Sequence, residues 1–298
     1  MRTFSIITTC KGRLDHLKVS LPKMVSQQCN EVIVVDYSCP QGTGEFVSAN
    51  FPSVRVVTMP GQDHFSNWRA RNAGAATAQS DVLIFIDADT ILADGAVEWI
   101  DRHLEPRTYG FFNSESSRAF NKGGPRVAAN QLRGFQVIPR PAFRRASGYD
   151  QVLEGYAAGA DTDLEFRLAR MGIAKFVLDP QIVEDVVQHD AASRTSNHAV
   201  PIKTSYAAGL LYRAAKRTLL RMNRQAELPL AMRRNLYRAA SAAARRLTPG
   251  RDRVTMTVRI GQEPVLMPRQ LGYQKGDQTI SLQIEVALQE PLVRRVQG

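Results

Sequence analysis

Two carboxylates close the most apolar run in this chain. Residues 82–86 read Val-Leu-Ile-Phe-Ile, and Asp87 and Asp89 follow with Ala88 between them. An ionised carboxylate without a partner in such surroundings is costly. A basic side chain, backbone N–H groups or a metal ion must therefore meet the pair. On an extended backbone, residues two apart point to the same side. Two convergent carboxylates suit a hard divalent cation such as Mg²⁺ or Mn²⁺, which takes oxygen ligands and shares its shell with phosphates. The plainer alternative is that Asp87 caps the following helix while Asp89 is a solvated loop residue. Asp36 ends a second apolar run, and Arg71, with Asn72 and Gly74, precedes the Asp pair. Arg71 either meets the phosphates of a nucleotide or pairs with one of the acids.

The elements that must position these residues alternate in type. "FSIITT" (4–9), "EVIVVDYS" (31–38), "VRVVTM" (54–59) and "DVLIFIDAD" (81–89) read as strands. Helical signals separate them at 14–25, 42–51 and 67–79. Such alternation predicts parallel βαβ units, in which ligands gather outside the carboxyl ends of the strands. Asp36, Asp87 and Asp89 all fall at that edge. Further on, 95–104 is helical, "GFFNSES" and "GFQVIPR" read as strands, and 161–172 is a helix with Leu164, Leu168 and Met171 on one face and Gly172 as its stop. "AKFVLDP" is a short strand.

Taken in order, "IITTCKGR", "EVIVVDYSCPQGTGEFV", "RARNAGAA" and "VLIFIDADT" resemble the nucleotide-binding half of glycosyltransferase family 2. The resemblance implies a GT-A fold, a Rossmann-like mixed α/β sheet, and a nucleotide-sugar site. Thr8, Thr9, Arg13 and Asp36 would hold base and ribose, Arg71 would lie near the nucleotide, and Asp87 would touch ribose. Asp89 would bind Mn²⁺ or Mg²⁺ on the diphosphate. A second stretch, "EGYAAGADTDLEFRLARMG" (154–172), resembles the acceptor-side segment of β-1,4-galactosyltransferases and related bacterial enzymes. Alignment on Gly159, Asp161, Asp163 and Arg167-Leu168 places Asp161 at the general-base position of an inverting transfer, with Tyr156, Gly159 and Asp163 on the acceptor side. The alternative for Asp161 is a helix N-cap, with Asp163 an acid favoured by the helix dipole. Tyr156 replaces the Trp of that pattern and Ala160 its Glu, so the galactosyltransferase acceptor preference does not carry over. His189, in "VVQHD", falls where related enzymes place a metal-ligating His; otherwise it is a polar surface residue.

The net charge of +11 is unevenly placed. Residues 1–200 carry 21 Lys+Arg against 22 Asp+Glu, whereas residues 201–298 carry 18 against 6. The asymmetry predicts three parts: a catalytic domain at 1–200, a basic helical extension at 201–250 and a small β-rich unit at 251–298. In the extension, Leu211, Ala215, Leu219 and Met222 share one face, and Arg213, Lys216, Arg217, Arg221 and Arg224 cluster opposite. That basic face either packs its apolar side on the catalytic domain or lies on an anionic membrane surface. With no nucleic-acid module and little aromatic interleaving, nucleic acid is an unfavoured partner. "RVTMTVRI" (253–260) and "TISLQIEVAL" (279–288) alternate strictly and predict antiparallel strands.

No signal peptide or membrane span is read in the sequence, and three cysteines without metal-ligand spacing fit a reducing compartment. The expected location is cytoplasmic, at most peripheral on the inner face of the membrane. "PQGTG" lacks the Lys-Ser/Thr of a phosphate-binding loop, which excludes an ATPase of that type. The expected activity is metal-dependent inverting transfer of a hexose or N-acetylhexosamine from a nucleotide sugar, with UDP favoured, to a hydroxyl of a glycan or lipid-linked glycan. The rival is a non-catalytic relative that binds a nucleotide sugar or glycan. The oligomeric state is not readable from the sequence.

Overall fold

The computed structural model describes residues 2–113, 131–188, 196–222, 225–247, 253–261 and 280–287. They fall into two compact units, Met1–Tyr149 with Leu168–Asn197, and Asp150–Arg167 with His198–Gly298. The chain therefore crosses between units three times, after Tyr149, Arg167 and Asn197, and the helices and paired strands of the tail belong to one unit.

The first unit opens with β1 (Phe4–Cys10), α1 (Leu14–Val25), β2 (Glu31–Asp36), α2 (Thr43–Asn50), β3 (Arg55–Thr58), α3 (Asn67–Thr77) and β4 (Val82–Asp87). β5 (Thr90–Leu92), α4 (Ala96–His103), β6 (Thr108–Phe111), β7 (Gln136–Pro139) and α5 (Arg140–Arg145) follow. After α6 (Ala160–Arg170) come β8 (Ala174–Val177) and β9 (Val183–Val186). Among the described residues the main sheet runs β3-β2-β1-β4-β7-β6-β8. Its first four strands are parallel, whereas β7 runs antiparallel to both β4 and β6. Ile6, Ile33, Val34, Leu83, Ile84 and Phe85 are fully buried, as a sheet covered on both faces requires. Gly74 lets α3 lie close on that sheet: a Cβ there would stand 2.6 Å from Ile7 Cγ2 and 3.0 Å from Val35 Cγ2.

Two elements differ from the sequence expectation. β4 ends at Asp87, and Ala88-Asp89 form a turn before β5. β7 pairs β4 only as far as Phe85, so the chain leaves the sheet and pairs again, as β5, with β9. Asp87 and Asp89 consequently do not share a side of one extended strand. The run "IPR" also turns helical at Arg140, where Pro141 in the first turn of α5 supplies a φ suited to a helix start.

In the second unit α7 (Ile202–Met222) packs on α8 (Leu230–Arg245), and α8 packs on β10 (Arg253–Gly261), which pairs antiparallel with β11 (Ile280–Ala287). Met256 and Val258 are buried while Thr255 and Thr257 are exposed, matching the period-two reading. Pro229 stands at the N-cap of α8. On α7, Leu211, Ala215 and Leu219 are buried as their spacing predicts, but Met222 is exposed and Lys216 is fully buried. Among the described residues no helix is long and apolar enough to cross a membrane.

Candidate active site

β4 carries the Asp pair to the carboxyl edge of the parallel strands, and α3 supplies the countercharge. Arg71 Nη2 donates to Asp87 Oδ1 at 2.7 Å, with the Arg71 side chain fully buried and that of Asp87 33% exposed. Of the two expectations for Arg71, pairing with an acid is what the geometry gives; the guanidinium lies beneath Asp87 and presents no exposed surface to a nucleotide. Its other face is aromatic, against Phe85 and Tyr149. The Tyr149 hydroxyl accepts from Arg71 Nη1 at 3.4 Å and donates to Gln136 Oε1 at 2.6 Å. Asn72 fixes the Tyr149 backbone through both ends of its amide. On the opposite side, Gly134 approaches Asp87 so closely that a Cβ would overlap Oδ2. Partial burial raises the Asp87 pKa above the ordinary carboxylate value, Arg71 pulls it back, and the Asp89 charge raises it again. Gly134, Gln136 and Tyr149 went unread in the sequence, because a glycine, an amide and a phenol dispersed over 134–149 form no motif.

The other residues expected on the donor side lie at or just beyond the neighbouring strand ends. Thr8 is fully buried in β1, and among the described residues its hydroxyl has no hydrogen-bond partner. Thr9, on the opposite face and in register with Asp87, donates to Asn67 Oδ1 at 2.9 Å, and Asn67 in turn hydrogen-bonds Asp87. Asp36 closes β2 with both carboxylate oxygens engaged, accepting from Cys39 N and Gly44 N at 2.7 Å each. It therefore shapes the loop that leads into α2 and keeps only its remaining lone pairs for a ligand. Arg13, at the N-cap of α1, pairs with His16 Nδ1 at 3.2 Å. The intervening Lys11-Gly12 turn is held from Asn197, whose Nδ2 donates to Lys11 O at 3.3 Å and whose O accepts from Phe65 N at 2.7 Å. Asp89 lies partly buried in the turn after β4. His189 falls outside the described residues.

The residues expected on the acceptor side belong to the second unit. Gly159, with φ +76°, stands just before α6, so Asp161 is in the first turn rather than at the cap. Tyr156 is 43% exposed, with its ring edge-on to His198 at 5.9 Å. Asp163 does not face an acceptor: it is fully buried and binds Arg167 and Lys216 at 2.8 and 2.9 Å. The reason is a closed charge cluster. Lys216 Nζ also donates to Asp150 Oδ2 and Glu227 Oε2 at 2.6 Å each, and Arg233 Nη1 reaches Asp150 Oδ1 at 2.6 Å. Three acids and three cations thus neutralise one another away from water. The oxygens of Asp150, Asp163 and Glu227 lie within 4.8 Å of one another, as a metal would require, but the Lys216 ammonium already fills the role of their cation. Arg213 and Arg217 point inward as well, donating to the carbonyls of Ala158 and Thr162, and Arg217 stacks over Phe166 at 5.0 Å. Much of the basic face expected on α7 therefore holds the segment 158–166 in place.

Residues 5–131 match the family Glycosyl transferase family 2. No curated protein matches the chain. Among solved structures, the mannosyltransferase PcManGT from Pyrobaculum calidifontis in complex with GDP-Man and Mn2+ is similar at 15% identity and TM-score 0.51, covering 83% of this chain and 76% of that one. S. aureus TarS 1-349 in complex with UDP-GlcNAc is similar at 15% identity and TM-score 0.55, covering 81% and 72%. The likeness is one of fold, and the fold is GT-A, as the four N-terminal motifs imply.

Proposed function

The chain is a glycosyltransferase with a family 2 domain at residues 5–131, and on that premise we propose that it moves a hexose or N-acetylhexosamine from a UDP-sugar to a hydroxyl of a glycan or lipid-linked glycan. The observation that carries this reading is the seating of Asp87 by Arg71 at the carboxyl end of β4, with Asp89 close by. Asp87 is paired with the buried Arg71, and burial together with the nearby Asp89 charge raises its pKa while Arg71 lowers it. Two carboxylates two residues apart at the edge where a nucleotide diphosphate would bind fit a divalent cation held through Asp89, with His189 as the expected second protein ligand. Such an ion, when bound, neutralises charge on the departing diphosphate. The nucleotide-sugar complexes of the two structural neighbours, one of them with Mn2+, support the same reading.

The chain's own residues would then divide the work. Arg71, Tyr149 and Gly134 orient Asp87 toward the ribose. Asp36 and the Lys11-Gly12-Arg13 turn shape the base pocket, with Thr9 steadying Asn67 beneath it. Asp161 takes the proton from the acceptor hydroxyl as that oxygen attacks the anomeric carbon opposite the diphosphate, which inverts the configuration. Tyr156 offers a ring face for a sugar. The exposed Arg234, Arg238 and Arg245 of α8 support peripheral attachment to an anionic surface, to be checked by co-sedimentation with anionic vesicles at low salt.

The test is a thermal-shift panel of UDP- and GDP-sugars, each with Mn²⁺, Mg²⁺ or EDTA, because a ligand of the native state raises its apparent stability. A metal-dependent shift with a UDP-sugar, followed by transfer that Asp161→Asn abolishes, supports the proposal. A shift with a GDP-sugar alone replaces the nucleotide. The absence of any shift overturns it in favour of a non-catalytic glycan-binding relative.

A further inference from the structure

Two of the three free cysteines lie together beside the carboxyl ends of β1 and β2, and their thiols take no part in the proposed sugar transfer. Cys10, fully buried, ends β1. Cys39, partly exposed, lies three residues beyond the end of β2. Their side chains are neighbours, each close enough to shift the titration of the other. The Cys39 sulfur also accepts from Gly12 N at 3.1 Å, and Cys10 Sγ accepts from the Thr43 hydroxyl at 3.1 Å. These are the contacts that stabilise a thiolate on Cys39: an amide N–H, a neighbouring thiol and, behind that thiol, a hydroxyl. A cation shares the loop, since the Lys11 ammonium is buried on the carbonyls of Tyr37, Ser38 and Gln62. The Cys39 backbone N–H is bound to Asp36 at 2.7 Å, which fixes the loop that carries it.

We propose that Cys39 and Cys10 are an oxidant-sensitive thiol pair, in which a peroxide oxidises Cys39 and Cys10 closes a disulfide upon it. The Cys39 thiolate attacks one peroxide oxygen and the O–O bond breaks. This gives a sulfenic acid and hydroxide, which takes a proton to become water. The Cys10 sulfur then attacks the sulfenic sulfur. Its thiol proton leaves with the hydroxyl as a second water, and the S–S bond forms. Two thiols lose two electrons and one peroxide gains them. The division of roles follows the surroundings. The neighbouring Cys10, with Thr43 and the backbone at Gln41 and Gly12, pulls the Cys39 thiol down to about 5, against its partial burial. The neighbouring Cys39 and full burial push Cys10 up, so it waits as a thiol. Cys29, pushed up to about 11 by burial, serves as an internal control.

The experiment uses the full chain. A lowered pKa also weakens the intrinsic nucleophile, so the contrast is sharpest at mildly acidic pH, where an ordinary thiol is almost wholly protonated. A short pulse of iodoacetamide there is expected to label Cys39 at least about tenfold faster than Cys29, read by peptide mass spectrometry. Hydrogen peroxide without alkylation should produce a Cys10–Cys39 cross-linked peptide lighter by two hydrogens, reversed by dithiothreitol. In Cys10→Ser the cross-link should vanish and a dimedone adduct appear on Cys39. Should that variant fail to fold, the wild-type cross-link decides alone. Equal labelling of Cys29 and Cys39, or oxidation of Cys39 without a link to Cys10, overturns the proposal.

Discussion

The α-carbon of Gly134 packs directly against the carboxylate of Asp87, leaving no room for a β-carbon between them. Gly134 ends a short 3-10 turn and has no positive φ, so an alanine there suits the backbone and offends only the carboxylate. Gly134→Ala should therefore displace Asp87 while the fold persists. Overpacking of this kind costs about 1–3 kcal/mol. A melt is expected to show a modest fall in Tm, and the donor-induced thermal shift should disappear.

Arg71→Met keeps the volume of the buried side chain and removes its charge. Breaking a buried pair costs about 3–5 kcal/mol because the surviving charge is stranded; Asp87 is partly exposed, so the lower end is expected. Denaturant unfolding measures the loss. Asp87→Asn added to Arg71→Met should recover part of it, since no charge is then left unpaired. Lack of any recovery would mean that Arg71 acts through its aromatic contacts instead.

Lys216 gives a sharper stability test. Lys216→Met leaves Asp150, Asp163 and Glu227 facing only Arg167 and Arg233, and a loss of about 3–5 kcal/mol is expected. The pH dependence has a definite sign. Lys216, Arg233 and the Tyr212 hydroxyl, opposing the cost of burial, hold the Asp150 carboxyl below the ordinary carboxylate range. Its contribution is present above the unfolded value, ~3.9, and lost as pH falls below it. Burial raises Glu227, which works the other way and is relieved as pH falls. Wild-type stability should accordingly drop only below about pH 4, and a urea midpoint measured across the acid range in wild type and Lys216→Met should show the wild-type drop diminished in the variant.

Asp161→Asn separates transfer from binding. Asp161 sits in the first turn of α6 and takes no part in the buried cluster, so the fold and the donor-induced thermal shift should be retained. Removal of a general base costs about 10²–10⁴-fold in rate, read as kcat in a transfer assay at saturating donor. Equal loss of donor binding would place Asp161 elsewhere in the mechanism.

The sequence revealed what is local. The limits of α1, the apolar strands ending in acids and the alternating tail strands all depend on spacing within a few residues. What it hid depends on distant partners. Lys216 sits on a basic helical face by periodicity, yet its carboxylates come from positions 150, 163 and 227. The same cluster withdraws Asp163 from the acceptor side. The turn at Ala88-Asp89 follows from where β7 stops pairing, and the partner of β5 arrives more than ninety residues later.

β7 enters the sheet against the direction of β4, so the edge that collects strand ends in Asp36 and Asp87 receives from β7 a beginning, led in by Gly134. The family-matched stretch stops at residue 131, while the glycine, amide and phenol that seat the carboxylate lie at 134, 136 and 149. A hybrid protein spliced at the end of that stretch would inherit Asp36, Asp87, Asp89 and Arg71 but lose Gly134, Gln136 and Tyr149. Exchange between relatives that keeps Asp87 seated has to carry the chain at least through Tyr149.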